Sequence, residues 1–89
     1  MATMFVRHLV KDYESWRKVL DEFHVTRQEA GATNEAVYRS ADEPNEITLM
    51  LDFADLDAAR AFPDNAELQG AFEKAGSIGP PTVWFATKV

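Results

Sequence analysis

The chain has 89 residues, 46% hydrophobic and 27% charged, the composition of one ordinary globular domain with no room for a second core. Fifteen acids against nine bases leave a formal charge of −6, which argues against nucleic acid or an anionic membrane as partner, since both demand a basic surface. The absence of cysteine excludes disulfides, thiolate nucleophiles and zinc–thiolate sites, so a metal centre built on His8 and His24 would have to lean on carboxylates.

Met4 to Val10 is rich in β-branched and aromatic residues and stops at Lys11-Asp12, which predicts a first strand. Asp12 stands where an N-cap belongs, with Glu14 in the first turn. From Tyr13 the spacing becomes helical. Tyr13, Trp16, Leu20, Phe23 and Arg27 share one stripe, and Gly31 closes a single helix of about 18 residues. Glu35 to Ser40 reads as a second strand, Asp42-Glu43-Pro44-Asn45 as a turn, and Glu46 to Phe53 as a third, strictly alternating strand. Asp55 caps a short helix, Leu56 to Phe62, which Pro63 interrupts. Asp64 or Asn65 restarts it, and Leu68, Phe72 and Ala75 continue its stripe to Gly76. A Gly79-Pro80-Pro81 turn then leads into a last strand, Thr82 to Lys88.

The order β-α-β-β-α-β folds as a ferredoxin-like α+β domain: a four-stranded antiparallel sheet with both helices on one face and strands 1 and 3 in the centre. The run Met1 to Val10 lacks a basic n-region and a cleavage motif, and no stretch approaches the ~20 apolar residues of a membrane helix. A soluble cytoplasmic protein is expected.

Two helices cover only one face of such a sheet. Strand 1 nevertheless sets Met4, Val6 and Val10 on one side and Phe5 and Leu9 on the other, and the last strand sets Val83 and Phe85 against Trp84 and Ala86. Whichever set lies on the uncovered face would form an apolar patch, which marks an interaction surface; the alternative is a second face only partly apolar and tolerated as such. The expected partner is a second copy, packed sheet to sheet.

Several residues carry candidate chemistry. His8 sits mid-strand and can serve as a general base near neutral pH, or simply fill a core position. Whether His8 or Arg7 faces the helices depends on a one-residue parity that one sequence leaves open. His24 lies at the border of the helical stripe, either over a pocket rim beside Trp16 or Phe23 or as a half-exposed boundary residue. Arg27, on the centre line of that stripe, either snorkels to solvent or offers its donor fork to a substrate carboxylate or enolate. Trp16, Phe23 and Trp84 are core residues or walls of an apolar ligand pocket. Asp52 is expected to pair across the sheet with Arg7 or Arg39. The acids Asp55, Asp57, Asp64 and Glu67 are explained by capping and a solvated face, so no metal is expected, and no phosphate-binding glycine loop supports a nucleotide cofactor.

Val6-Arg7-His8, Asp12-Tyr13 and Trp16, the run Arg39 to Glu46, Asp55 to Phe62, Glu67-Leu68 and Ala75 to Pro81 together resemble the antibiotic-biosynthesis-monooxygenase-like superfamily. These are small dimeric α+β-barrel proteins, and the likeness is nearest to the stand-alone bacterial members of cyclase type. It spans nearly the whole chain. It implies a homodimer and a chemistry drawn from cofactor-independent oxygenation of polyketide phenols, haem degradation, decarboxylation or cyclisation. Haem-degrading members use an asparagine near the first strand and a histidine late in the second helix. Here Arg7 and His8 hold the first strand and the second helix ends Phe72-Glu73-Lys74-Ala75, which argues against haem degradation.

The resulting expectation is a dimer that binds an aromatic or polycyclic metabolite between sheet and helices, without a cofactor. His8 is the base and Arg27 or His24 stabilises the developing negative charge. The alternative from another class is a non-catalytic ligand-binding or dimerisation module. An RNA-binding module on the same topology fails on charge.

Overall fold

The computed structural model describes residues 1–64, 69–70, 73–74 and 76–89. The proposed continuation of the second helix through Asn65, Leu68, Phe72 and Ala75 lies outside them. Alternation builds β1 (Ala2–Val10), where Ala2, Met4, Val6, His8 and Val10 are buried and the intervening side chains are not. The strand begins two residues earlier than its apolar run.

Asp12 is extended, and its carboxylate accepts the Ser15 backbone N–H at 3.0 Å, which starts α1 (Tyr13–Glu22). The expected single helix is two. At Phe23 the backbone leaves helical geometry (φ −99°, ψ 17°) before α2 (His24–Glu29) resumes. A continuous helix would bond the Leu20 carbonyl to the His24 N–H; instead Nη1 of Arg27 donates to that carbonyl at 2.5 Å. A side chain inserted into the carbonyl ladder is an ordinary cause of a break. Gly31 then closes α2 at φ 105°, where any Cβ is disfavoured.

β2 (Asn34–Arg39) and β3 (Glu46–Phe53) form the expected hairpin, with Val37 opposite Leu49. Its turn is held by Ser40, whose Oγ accepts from the backbone N–H groups of Asp42 and Glu43. Asp55 caps α3 (Leu56–Ala61) by accepting the Ala58 N–H at 2.8 Å, and Pro63 lies in the 3-10 turn Phe62–Asp64 that follows.

β4 (Ser77–Thr87) corrects an expectation, because it starts five residues before Thr82 and includes Gly79-Pro80-Pro81. Two features allow this. Among the described residues β4 is an edge strand bonded only to β1, so a proline without an N–H is tolerated. Its register also slips between Arg7 and Leu9 of β1, near Gly79 at φ 71°, and such an irregularity leaves residues outside the ladder.

The strand order is β2-β3-β1-β4, antiparallel throughout, with β1 and β3 central. This is the ferredoxin-like α+β arrangement. Trp16, Val19 and Leu20 of α1 and Ala59 of α3 close over Met4, Val6, Ile47, Leu49, Leu51 and Phe53 in one core. Leu51 is fully buried on a central strand, so Leu51→Ala should cost about 2–5 kcal/mol. Urea unfolding checks this as a lower midpoint with an unchanged slope.

Candidate functional site

The parity of β1 is settled by burial: His8 faces the helices and Arg7 the open side of the sheet. The His8 imidazole is 4% exposed and lies 5.7 Å, centroid to centroid, from the ring of Trp16, itself buried. Tyr13 follows at 6.0 Å from Trp16, and the Arg39 guanidinium lies 4.0 Å above the Tyr13 ring. Arg39 is in the same register row as His8, through Ile47. Asn45 fixes the start of α1 over this row, since its Oδ1 accepts the Tyr13 N–H at 3.2 Å. Burial removes water from the imidazole and pushes its pKa below the ordinary 6.5, so His8 is neutral at physiological pH.

A second cluster joins α2 to β2. Arg27 does not snorkel out; it is 3% exposed. Its Nε and Nη2 donate to the two carboxylate oxygens of Glu35 at 2.8 and 3.1 Å, and His24 Nδ1 stands 3.5 Å from the same carboxylate. Burial alone would raise the Glu35 pKa, but the hydrogen bonds and charge of Arg27, with a smaller part from His24, hold it below the usual carboxylate value. Glu35 is opposite Leu51, which is opposite Met4. The cluster is thus four residues along β1 from His8, about 13 Å at 3.3 Å per residue. His8 and the pair Arg27–His24 are not brought around one reacting atom.

Phe23 is half-buried at the junction of α1 and α2, against the core. Trp84 is neither in the core nor near His8: it is 41% exposed on the open face, stacked on Phe5 at 5.2 Å and 10°. On that face lies a concavity of about 480 Å³ that contains neither histidine. Asp52 pairs with neither arginine. It accepts from Thr3 Oγ1 at 2.6 Å and from Asn34, because Thr3 is its register partner. Arg7 instead pairs with Glu46, and Arg39 donates to the Pro44 carbonyl.

Tyr13, Glu35 and Glu46 are not among the candidate site residues that the sequence offers. Tyr13 stood on the helical stripe beside Trp16, and that adjacency was the available signal. The two glutamates reveal themselves only when strands are paired. Among the described residues no three His, Asp or Glu side chains form a metal cluster, and no helix is long and apolar enough to cross a membrane.

The strand order, the hairpin and the helix-covered face define a class of fold. It is that of the antibiotic-biosynthesis-monooxygenase-like proteins. A candidate antibiotic biosynthesis monooxygenase from Bordetella bronchiseptica superposes with a TM-score of 0.83 at 21% identity, covering 99% of this chain and 96% of that one. SnoaB, a cofactor-independent oxygenase from Streptomyces nogalater, gives 0.74 at 16% identity, covering 99% and 94%. A Deinococcus radiodurans protein of the same description gives 0.73 at 16%, covering 100% and 93%. At these identities the likeness is one of fold. No protein-family model and no curated protein matches the chain.

The His8 shift has a measurable consequence. The unfolded chain takes up this proton near pH 6.5 while the folded chain resists it, so the unfolded state binds more protons. Folding stability should therefore fall as pH drops below about 6.5 and level off beneath the folded value. Urea titrations from pH 7.5 to 5 should show this slope flattened in His8→Gln.

Proposed function

We propose that the chain binds a planar aromatic metabolite on the helix side of its sheet and catalyses cofactor-independent proton transfer, with His8 as the base. The observation that carries this reading is a neutral imidazole at mid-sheet, buried against Trp16 in a low-dielectric setting. Such a group accepts a proton from an acidic C–H or phenolic O–H without first losing one to water. In an oxygenase the electron pair left on carbon bonds to dioxygen, the peroxide anion takes the proton back from His8, and the hydroperoxide loses water to leave a carbonyl; in a cyclase the pair bonds to an internal carbonyl carbon and the alkoxide takes that proton. Trp16 and Tyr13, with Phe23 farther along the stripe, are the aromatic walls. The shared fold with SnoaB supports the oxygenase branch by analogy of fold.

Arg27 and His24 take a positioning role in this reading. Their contacts to Glu35 hold α2 against β2, and charge on a substrate at His8 lies too far off for either to neutralise directly. The working unit is a homodimer closed over the open face. Phe5, Leu9, Ile78 and Trp84 form an apolar surface there, next to Met50.

A hydroxyanthrone, whose ring methylene is an acidic carbon, serves as probe. The expected result is oxygen uptake, or methylene deuterium exchange under nitrogen, that falls about 100-fold or more in His8→Gln. Turnover unchanged in that variant would eliminate His8 as the base. The second reading, a non-catalytic binding module, is favoured by the concavity that holds neither histidine, and binding with no exchange and no uptake would establish it. Sedimentation at micromolar concentration should give about twice the 10.0 kDa of one chain, and Trp84→Lys should shift it to the monomer by burying an unpaired charge.

A further inference from the structure

Of the side chains that α2 contributes, the buried one is Arg27; its apolar residue, Val25, is 60% exposed. A surface helix is ordinarily fixed by an apolar stripe, and here an ion pair takes that place. Among the described residues, the polar contacts from α2 to the sheet converge on Glu35, from the Arg27 fork at 2.8 and 3.1 Å and from His24 Nδ1 at 3.5 Å. Segments with few buried apolar contacts open at lower free energy than the core around them.

Both ends of α2 are joints. At Phe23 the backbone leaves helical geometry, and at Gly31 it turns at φ 105°. Six residues lie between them in the helix, about 9 Å at 1.5 Å per residue. Phe23 and Ala30 pack against the core at either end. Gly31 backs onto Phe53, whose ring would stand 3.6 Å from an added Cβ. Glu35 shares its register row with Leu51 and Met4, both buried. α2 therefore closes the Met4, Leu51 and Phe53 end of the helix-side core.

The Phe23 joint has two ways to satisfy one acceptor. The Leu20 carbonyl takes Nη1 of Arg27; with α1 and α2 continuous it would take the His24 N–H instead. The helical spacing of Tyr13, Trp16, Leu20, Phe23 and Arg27 keeps one period across the joint, so the local pattern favours the continuous helix. The Arg27–Glu35 contact holds the broken one. A conflict between local pattern and tertiary contact marks a functional or strained position.

We propose that α2 is a strap over the helix-side interior, hinged at Phe23 and Gly31 and latched by Arg27 on Glu35. Released from Glu35, the guanidinium leaves the Leu20 carbonyl and the His24 N–H replaces it. α1 and α2 then form one helix whose far end lifts from the sheet, and the interior over Met4 and Leu51 opens to an apolar ligand. That a ligand uses this entrance rests on the function proposed above; the strap and its latch stand without it.

Amide exchange and acrylamide quenching test the proposal. Neither reads turnover, so a failure of the His8 chemistry leaves their result intact. In Arg27→Met/Glu35→Leu both latch residues become apolar and no charge is left buried without its partner. The His24 amide, bonded to the Leu20 carbonyl in the opened strap, should exchange about tenfold more slowly than in the wild type. With Trp84→Phe as background, Trp16 is the remaining indole of the two in the chain. Its quenching by acrylamide should rise about twofold or more when the latch is removed. Arg27→Lys keeps a cation for Glu35, and with it the fold, but lacks the planar fork that reaches Glu35 and Leu20 together. It should move both readouts in the same direction by less, and it decides the matter if the double variant does not fold. A His24 amide that exchanges no more slowly in the folded variants, or Trp16 quenching that does not rise, overturns the strap.

Discussion

A β-strand sends successive side chains to opposite faces, and the described helices of this chain cover one face of one sheet. Everything else in the molecule answers to that constraint. On β1 and β3 the helix side is closed by Met4, Val6, Ile47, Leu49, Leu51 and Phe53, and the polar residue admitted among them is His8. The other side of the same strands carries Phe5, Arg7, Thr48 and Met50, neither a core nor a solvated surface. The two faces are therefore different solvents. Burial on the first disfavours a charged imidazole; on the second the Arg7–Glu46 pair stays partly exposed.

The Arg27–Glu35 pair shows how a buried charge is paid for structurally. Taking a guanidinium out of water is tolerated only when its donors are met. Three of them are met here, two by Glu35 and one by the Leu20 carbonyl. The third contact sits where one helix becomes two. Arg27 thus ties the Leu20 carbonyl of α1 to Glu35 of β2, so the electrostatics of one side chain and the path of the chain are a single arrangement. Removing Glu35 alone would leave the charge buried without its partner, a different matter from replacing both residues by apolar ones.

Much of this could be read from residue order. The alternation of Ile47, Leu49, Leu51 and Phe53 gave β3 to the residue, and Asp12 and Asp55 announced both caps by residue type. What the pattern missed has physical causes. A stripe of period 3.6 runs through Phe23 without interruption, yet the helix breaks there, where Arg27 donates to the Leu20 carbonyl seven residues back. Gly79-Pro80-Pro81 has the composition of a turn, yet an edge strand with a register slip accommodates it. The parity of His8 and Arg7 was open because both faces of β1 are apolar. Partnerships between strands were the least legible, since Asp52 with Thr3 and Arg7 with Glu46 depend on register.

The candidate residues gain meaning from which solvent each occupies. His8, Trp16 and Tyr13 share the helix face, where burial disfavours a charged imidazole. Trp84 was grouped with Trp16 by residue type, but the sheet divides them, and an indole on the open face stacks on Phe5 rather than enclosing His8. Burial disfavours the charged form of His8, whereas Arg7 and Arg27 each lie against a carboxylate. One face therefore holds a buried imidazole and the other an exposed guanidinium. The division follows from the pleat of β1, which sets residues 7 and 8 back to back.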